Sequence, residues 1–319
     1  MKNLYKPKVL AVVGPTASGK TSLSVEIAKR FGGEIISADS MQIYKGMDIA
    51  TAKVTEEEKQ GIKHYLVDFL PVTESFSVAA FVELAQKAID EITKNNKLAV
   101  IAGGTGLYVD NLLNGTKFCD GETDLEIRAS LQNELEEKGL DYLLSELEKV
   151  DRESFHRLSI ERNPKRIIRA LEIYRTTGVT MSEQNKLSMP EEKPYDYIKI
   201  GLDFKDRANL YQRINLRVDL MLEAGLLEEA KAFFEQNAGN TAVQAIGYKE
   251  LEPYFKEEAA LDSCVESLKR ATRRYAKRQL TWFRRDVSTK WFYVDEYESS
   301  ALLFKAVEAF LISEGFDLV

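Results

Sequence analysis

The octapeptide Gly14-Pro15-Thr16-Ala17-Ser18-Gly19-Lys20-Thr21 limits this chain more than any other feature, because it fits G-x-x-x-x-G-K-[ST]. Its flanks are what such a loop requires. Val9 to Val13 is a continuous apolar run, suited to a parallel strand buried on both faces. Thr21 to Phe31 carries Leu23, Val25, Ile27 and Ala28 in a helix-compatible pattern, and Gly32-Gly33 stops it. Between strand and helix, the two glycines let the backbone curl so that its N–H groups face an anion, and the helix N-terminus adds partial positive charge. Lys20 supplies a full charge, and the Thr21 hydroxyl is placed to ligate Mg²⁺. The loop specifies a polyphosphate with Mg²⁺; it does not specify ATP.

The same alternation continues. Residues 34–38 (EIISA) and 97–102 (KLAVIA) read as further strands, and residues 78–93 read as an amphipathic helix between them. Composition changes near residue 116. From Asp120 to Val150 there are 10 acids and 3 bases, with leucines at helical spacing, and residues 120–186 read as helical with breaks at Gly139, Pro164 and Gly178. Pro190 and Pro194 bound a linker, after which residues 197–202 (YIKIGL) return as a strand. Residues 207–234 and 260–285 read as two helical stretches, and residues 291–294 as a last strand. The expected fold is α/β: a P-loop NTPase-like parallel sheet core with a helical insertion domain and C-terminal helices. The expected divisions are 1–116, 117–196 and 197–319.

Two cysteines, Cys119 and Cys264, and two histidines, His64 and His156, rule out a disulfide scaffold and make a Cys/His metal centre a poor expectation. No apolar stretch reaches the ~18 residues of a membrane span, and the basic start leads into too short an apolar run for a signal peptide. A cytoplasmic protein without membrane association is expected. The net charge of −7, from 44 Lys+Arg against 51 Asp+Glu, argues against a nucleic-acid partner only if charge is spread evenly. It is not. Residues 269–290 (KRATRRYAKRQLTWFRRDVSTK) hold nine bases and one acid. Arg270, Arg273, Arg274, Lys277 and Arg278 share one helix face, with Tyr275, Trp282 and Phe283 interleaved. A positive helix face with stacking surfaces is the footprint of a phosphate backbone with unstacked bases, and the competing reading is a solvated charged face. A second basic patch runs Lys165-Arg166-Ile167-Ile168-Arg169.

Two further segments face the phosphate loop. Asp39-Ser40-Met41-Gln42 follows the second strand directly, where a carboxylate faces the ligand crevice of a parallel sheet. Metal ligand, general base and helix N-cap all remain open for Asp39. Gly103-Gly104-Thr105-Gly106 ends the third strand at the same sheet edge, which makes Thr105 a candidate hydrogen-bond partner for a substrate. Arg213 and Arg217 project together from a helix, either to clamp a diphosphate or to pair with Asp219 and Glu223.

Five ordered motifs span almost the whole chain: GPTASGKT, DSMQIYKGMDIATAK, GGTGLY, QAIGYKE (244–250) and YAKRQLTWFR (275–284). Together they resemble the tRNA dimethylallyltransferases, or tRNA isopentenyltransferases. The resemblance implies transfer of a dimethylallyl group from its diphosphate to the exocyclic N6 amine of the tRNA adenosine 3′ of the anticodon, position 37. It implies Asp39 as the base and Thr105 as a contact to the adenosine. Lys20, Arg217, the loop and Mg²⁺ on Thr21 then neutralise the leaving diphosphate. By resemblance, contacts to the anticodon stem-loop fall on Asp39, Ser40, Met41 and Gln42, on Arg128, and on Lys165 to Arg169. They continue on Gln244, Ala245, Ile246, Gly247, Tyr248 and Lys249, and on Lys277, Arg278, Gln279, Leu280, Thr281, Trp282, Phe283 and Arg284. Two positions depart from the family pattern. Ala50 stands where many members have glycine, and residues 159–164 read SIERNP where a His-Pro-Asn-Asp type sequence is more frequent. The zinc-finger extension of eukaryotic members is not seen, so a bacterial-type member, acting as a monomer, is expected. The alternatives are an isopentenyltransferase for free adenine nucleotides and a P-loop small-molecule kinase.

Overall fold

The computed structural model describes residues 6–118, 124–236, 239 and 241–316. Met1 to Tyr5 of the basic start, Cys119, and Asp120 to Thr123 of the acidic run lie outside them.

The chain forms two compact units, one of residues 1–113 with 194–319 and one of residues 114–193. In the first, β1 (Lys8–Val13) leads through the phosphate loop into α1 (Lys20–Arg30), then β2 (Gly33–Ser37). A long loop containing the one-turn α2 (Glu56–Lys59) and the two-residue β3 (His64–Tyr65) precedes α3 (Val78–Lys94), β4 (Leu98–Gly103) and α4 (Gly106–Asn114). The second unit is helical: α5 (Leu125–Lys138), α6 (Leu140–Val150), α7 (Arg152–Glu161), α8 (Pro164–Thr177) and α9 (Met181–Leu187). The chain returns through β5 (Asp196–Asp203), α10 (Arg207–Glu223), α11 (Leu226–Phe234), α12 (Tyr248–Phe255), α13 (Leu261–Phe283), β6 (Lys290–Tyr293) and α14 (Ser300–Ser313).

Among the described residues the six strands form one parallel sheet in the order β3-β2-β4-β1-β5-β6. Period-two alternation sorts β1 onto both faces. Val9, Ala11 and Val13 pack with Phe81, Ile89, Val109 and Leu112 of α3 and α4, while Leu10 and Val12 pack with Val25, Ile27, Val307 and Leu311 of α1 and α14. The register positions the site. Val13 pairs with Gly103 of β4, and Ser37 of β2 pairs with Ala102, so the loops after β1, β4 and β2 leave the sheet side by side.

Several boundaries differ from expectation. Gly225 divides the stretch 207–234 into α10 and α11. Asp151 starts α7 inside the helical unit by accepting the Ser154 N–H at 3.0 Å. Helices α2, α4, α12 and α14 and strand β3 are additional to the elements expected from the sequence. β5 begins at Asp196, which pairs with Lys8, so the core resumes at Pro194.

The loop after β2 lacks periodicity yet is packed. Ile43, Tyr44 and Met47 are fully buried against α11, α12 and the first half of α13. One carboxylate organises it. Glu229 accepts the backbone N–H groups of Asp48, Ile49 and Ala50 at 2.8, 2.7 and 2.9 Å, and the Tyr248 hydroxyl at 2.8 Å. Glu229→Ala strands these donors, so it is expected to cost about 2–4 kcal/mol of stability, read as a lower midpoint in urea unfolding.

Candidate active site

Helix α1 starts at Lys20 behind Gly19, and Gly14 and Gly19 both hold the positive φ that the curl demands, 149° and 91°. Lys20 Nζ donates to the Pro15 carbonyl at 2.6 Å across the loop. Burial is the main force on its amine, the neighbouring Arg217 the second, and Asp39 opposes both; the balance pushes Lys20 down to about 7. Arg217 is likewise pushed down from its ordinary value, chiefly by burial.

Both arms of the arginine pair on α10 reach the loop. Arg213 Nε donates to the Ala17 carbonyl at 2.9 Å, and Arg217 Nη1 lies 3.5 Å from the Thr16 hydroxyl. The ion-pair alternative is displaced at Asp219, which pairs with Lys269 at 2.6 Å. These groups open on a cavity of about 380 Å³, lined by Thr16, Lys20, Thr21, Asp39, Arg217 and Tyr275 among others.

Asp39 opens a turn and caps no helix: its Oδ1 accepts the N–H groups of Met41 at 2.9 Å and Gln42 at 3.4 Å. Oδ1 is thus fixed by backbone, while the carboxylate acts on Lys20 and Arg217 across the cavity. Thr105 stands beside the cavity, where its hydroxyl accepts the Ser40 N–H at 3.2 Å and its own N–H donates to the Ala38 carbonyl at 3.1 Å. Gln42 binds its own loop, donating to the carbonyls of Thr51 and Ala52 at 3.3 and 3.1 Å.

Gln279 ties the site together. Buried on α13, its Oε1 accepts the Thr16 N–H at 2.9 Å and its Nε2 donates to the Gly104 carbonyl at 3.1 Å. The approach is so close that a Cβ on Gly104 would lie 2.0 Å from Nε2, and one on Gly103 would lie 2.2 Å from the Ala38 carbonyl oxygen. The glycines of this turn are therefore demanded by packing between three loops. Tyr275, one helical turn before Gln279, lines the cavity, and burial followed by the Asp39 charge pushes its phenol up, so it stays protonated. In sequence it is an aromatic within a basic run and the first residue of the YAKRQLTWFR motif, neither of which places it in the cavity.

The basic stripe divides by its contacts. Lys269 pairs with Asp219, Arg273 donates to Asn215 at 2.6 Å, and Arg285 lies over the Trp282 ring. Arg274, Lys277 and Arg278 are exposed, have no carboxylate partner among the described residues, and Arg278 also lines the cavity.

The stretches expected to meet tRNA differ in exposure along their length, because a helix presents only some of its residues outward. Ile167 and Ile168 are core of the helical unit, Ala245 and Tyr248 belong to the core around the 43–50 loop, and Leu280 and Phe283 are buried beneath the sheet edge. Gly247 is buried as well. Gln279 is committed to the loops. Trp282 donates to Asp110 at 2.6 Å, and Arg284 pairs with the fully buried Asp203, so both staple α13 to the core. Ser40, Met41, Gln244, Ile246, Lys249, Lys277, Arg278 and Thr281 retain accessible side chains in the first unit, and Arg128, Lys165, Arg166 and Arg169 do so in the second.

For a metal, the cavity offers one carboxylate, Asp39, and hydroxyls, among them that of Thr21. No cluster of three His, Cys, Asp or Glu side chains occurs among the described residues. That set fits a hard cation held mostly by substrate phosphate oxygens and does not fit a resident protein-caged ion.

The family model described as IPP transferase matches residues 42–286. The tRNA dimethylallyltransferase of Acetivibrio thermocellus is 48% identical, over 96% of this chain and 98% of its own length. That of Bacillus cytotoxicus is 47% identical, over 97% of each. The crystal structure of the full-length tRNA isopentenylpyrophosphate transferase from Bacillus halodurans superposes with a TM-score of 0.72 at 41% identity, covering 97% of this chain and 96% of that one. A eukaryotic dimethylallyltransferase acting on tRNA gives 0.80 at 28% identity, covering 97% and 80%. With a parallel sheet, a phosphate loop faced by Asp39 and a match running the length of the chain, this protein belongs to the IPP transferase family.

Proposed function

We propose that the chain transfers a dimethylallyl group from dimethylallyl diphosphate to N6 of the adenosine 3′-adjacent to the anticodon in tRNA, releasing diphosphate. The observation that carries this reading is the single cavity in which Asp39 faces Lys20 and Arg217. One side is cationic and built for a diphosphate; the other offers a carboxylate fixed by backbone.

The loop N–H groups, Lys20 and Arg217 bind the diphosphate and take up charge as the allylic C1–O bond breaks and its electron pair leaves with diphosphate. The Thr21 hydroxyl would help hold a Mg²⁺ ion here, which would supply further neutralisation of the diphosphate. N6 forms the new bond to C1, and its proton passes to the Asp39 carboxylate. An adenine amine is a weak nucleophile because its lone pair is delocalised, so proton removal as the bond forms is what the carboxylate contributes. Thr105 holds Ser40 and so the turn that aims Asp39. The target base must leave its stack to reach the cavity, and Arg274, Lys277 and Arg278 hold the RNA backbone outside it. Among the described residues no helix is long and apolar enough to cross a membrane.

The test is labelled dimethylallyl diphosphate offered with tRNA or with AMP, without ATP. Label is expected in tRNA alone; label in AMP but not tRNA overturns the reading. Charge reversal at Arg274 and Arg278 is expected to raise the KM for tRNA ~10-fold or more and to flatten its salt dependence. Unchanged tRNA affinity in that variant would make the stripe an ordinary solvated face.

A further inference from the structure

We infer that Glu172 is a positioning residue for RNA binding: its buried carboxylate gathers Arg128 and Arg169 into one outward-facing guanidinium pair on the helical unit. The inference rests on the tRNA reading above and adds a residue to it.

Glu172 lies on α8 with its side chain 1% exposed. Arg169 Nη1 of the same helix is 3.1 Å from Glu172 Oε2, and Arg128 Nε of α5 is 3.9 Å from that same oxygen. Neither carboxylate oxygen has a hydrogen-bond partner. Both arginine side chains remain about two-fifths exposed, at 42% and 40%. A buried carboxylate is costly unless paired and hydrogen-bonded, so this one is poorly explained as a device for stability.

The same two helices already carry such a device nearby. Arg175 of α8 grips Glu134 of α5 through two hydrogen bonds of 2.6 and 3.0 Å. That fork uses up the donors which face the carboxylate. The group around Glu172 differs in kind: one carboxylate attracts two guanidinium groups and saturates neither. The unused N–H donors project from the exposed side, and the trio keeps a net charge of +1. Two planar forks drawn to a common oxygen, with donors to spare, suit the oxygens of a phosphodiester backbone.

Positioning and simple electrostatics give effects of opposite sign. Glu172→Gln removes a negative charge from a basic patch, so electrostatics alone would tighten RNA binding. If Glu172 aims the arginines, the same change loosens it. The experiment is steady-state transfer of labelled dimethylallyl diphosphate to an anticodon stem-loop over a range of salt. For Glu172→Gln the KM for RNA is expected to rise ~5–10-fold, while kcat and the KM for dimethylallyl diphosphate hold and the salt dependence flattens. In the Arg128→Ala/Arg169→Ala background, where no arginine is left to aim, Glu172→Gln is expected to add less than twofold. A KM for RNA that falls or stays level overturns the inference. Should Glu172→Gln fold poorly, Glu172→Asp keeps the charge and withdraws it from both arginines; a rise in KM is again expected, and an unchanged KM is again fatal. A parent chain that transfers no label to RNA removes the functional reading and this inference together, an outcome distinct from an active parent with insensitive Glu172 variants.

Discussion

Near pH 6.5, Asp39→Asn is expected to bind dimethylallyl diphosphate about as well as the parent and to lose turnover by ~10² or more. The substitution is unusually clean here. Oδ1 is the oxygen held by the Met41 and Gln42 N–H groups, and an asparagine can present its amide oxygen to the same donors. The turn keeps its shape, and what disappears is the capacity to take a proton. One side effect must be controlled. Asp39 draws the Lys20 pKa upward, so without it Lys20 falls further below about 7 and becomes neutral at working pH. Assays near pH 6.5 limit that loss and separate it from the missing base. Single-turnover transfer at saturating RNA is the measurement, and near-parental rates would take Asp39 out of the proton-transfer role.

The phosphate side of this site was legible because its signals are local. Two glycines, a lysine and a threonine between an apolar run and an amphipathic helix satisfy one another within eight residues, and the fold places them as the spacing requires. Asp39 was legible as a position, directly after a buried strand, but its role was not, because a helix N-cap and a cavity carboxylate look alike in sequence.

What escaped were residues whose partners lie far along the chain. Gln279 meets Thr16 and Gly104 across 263 and 175 positions, so it could be assigned only to the motif around it. Glu229 serves a loop some 180 residues upstream and carries no local mark of that work. The basic stripe shows the same limit from another side. Helical spacing puts five bases on one face of α13, yet Arg273 of that face bonds Asn215, and Arg284 at the helix end is a staple because Asp203 of β5 is buried beneath it. Charge pattern says where a surface is basic; only packing says which of those charges remain available.

Lys20→Met is expected to lower turnover by ~10²–10³ and to abolish a pH dependence that the parent should show in binding alone. In the unliganded protein Lys20 sits at about 7, lowered first by burial and next by Arg217. A bound diphosphate favours the ammonium form and moves that value upward. Below pH 7 the lysine is protonated both before and after binding, so affinity is flat with respect to this group. Above pH 7 the free protein must first take up a proton, which weakens binding by up to about tenfold per pH unit until the bound-state value is passed. The sign is therefore fixed: the dissociation constant of an unreactive dimethylallyl diphosphate analogue rises from pH 7 to pH 9. Titration calorimetry in buffers of different ionisation enthalpy should register proton uptake at pH 8. Lys20→Met should bind more weakly at pH 7, with no slope between 7 and 9 and no net uptake. A parent affinity that is level across that interval would mean that Lys20 is fully protonated before the ligand arrives, leaving Arg217 and the loop N–H groups to discriminate between the free and leaving diphosphate.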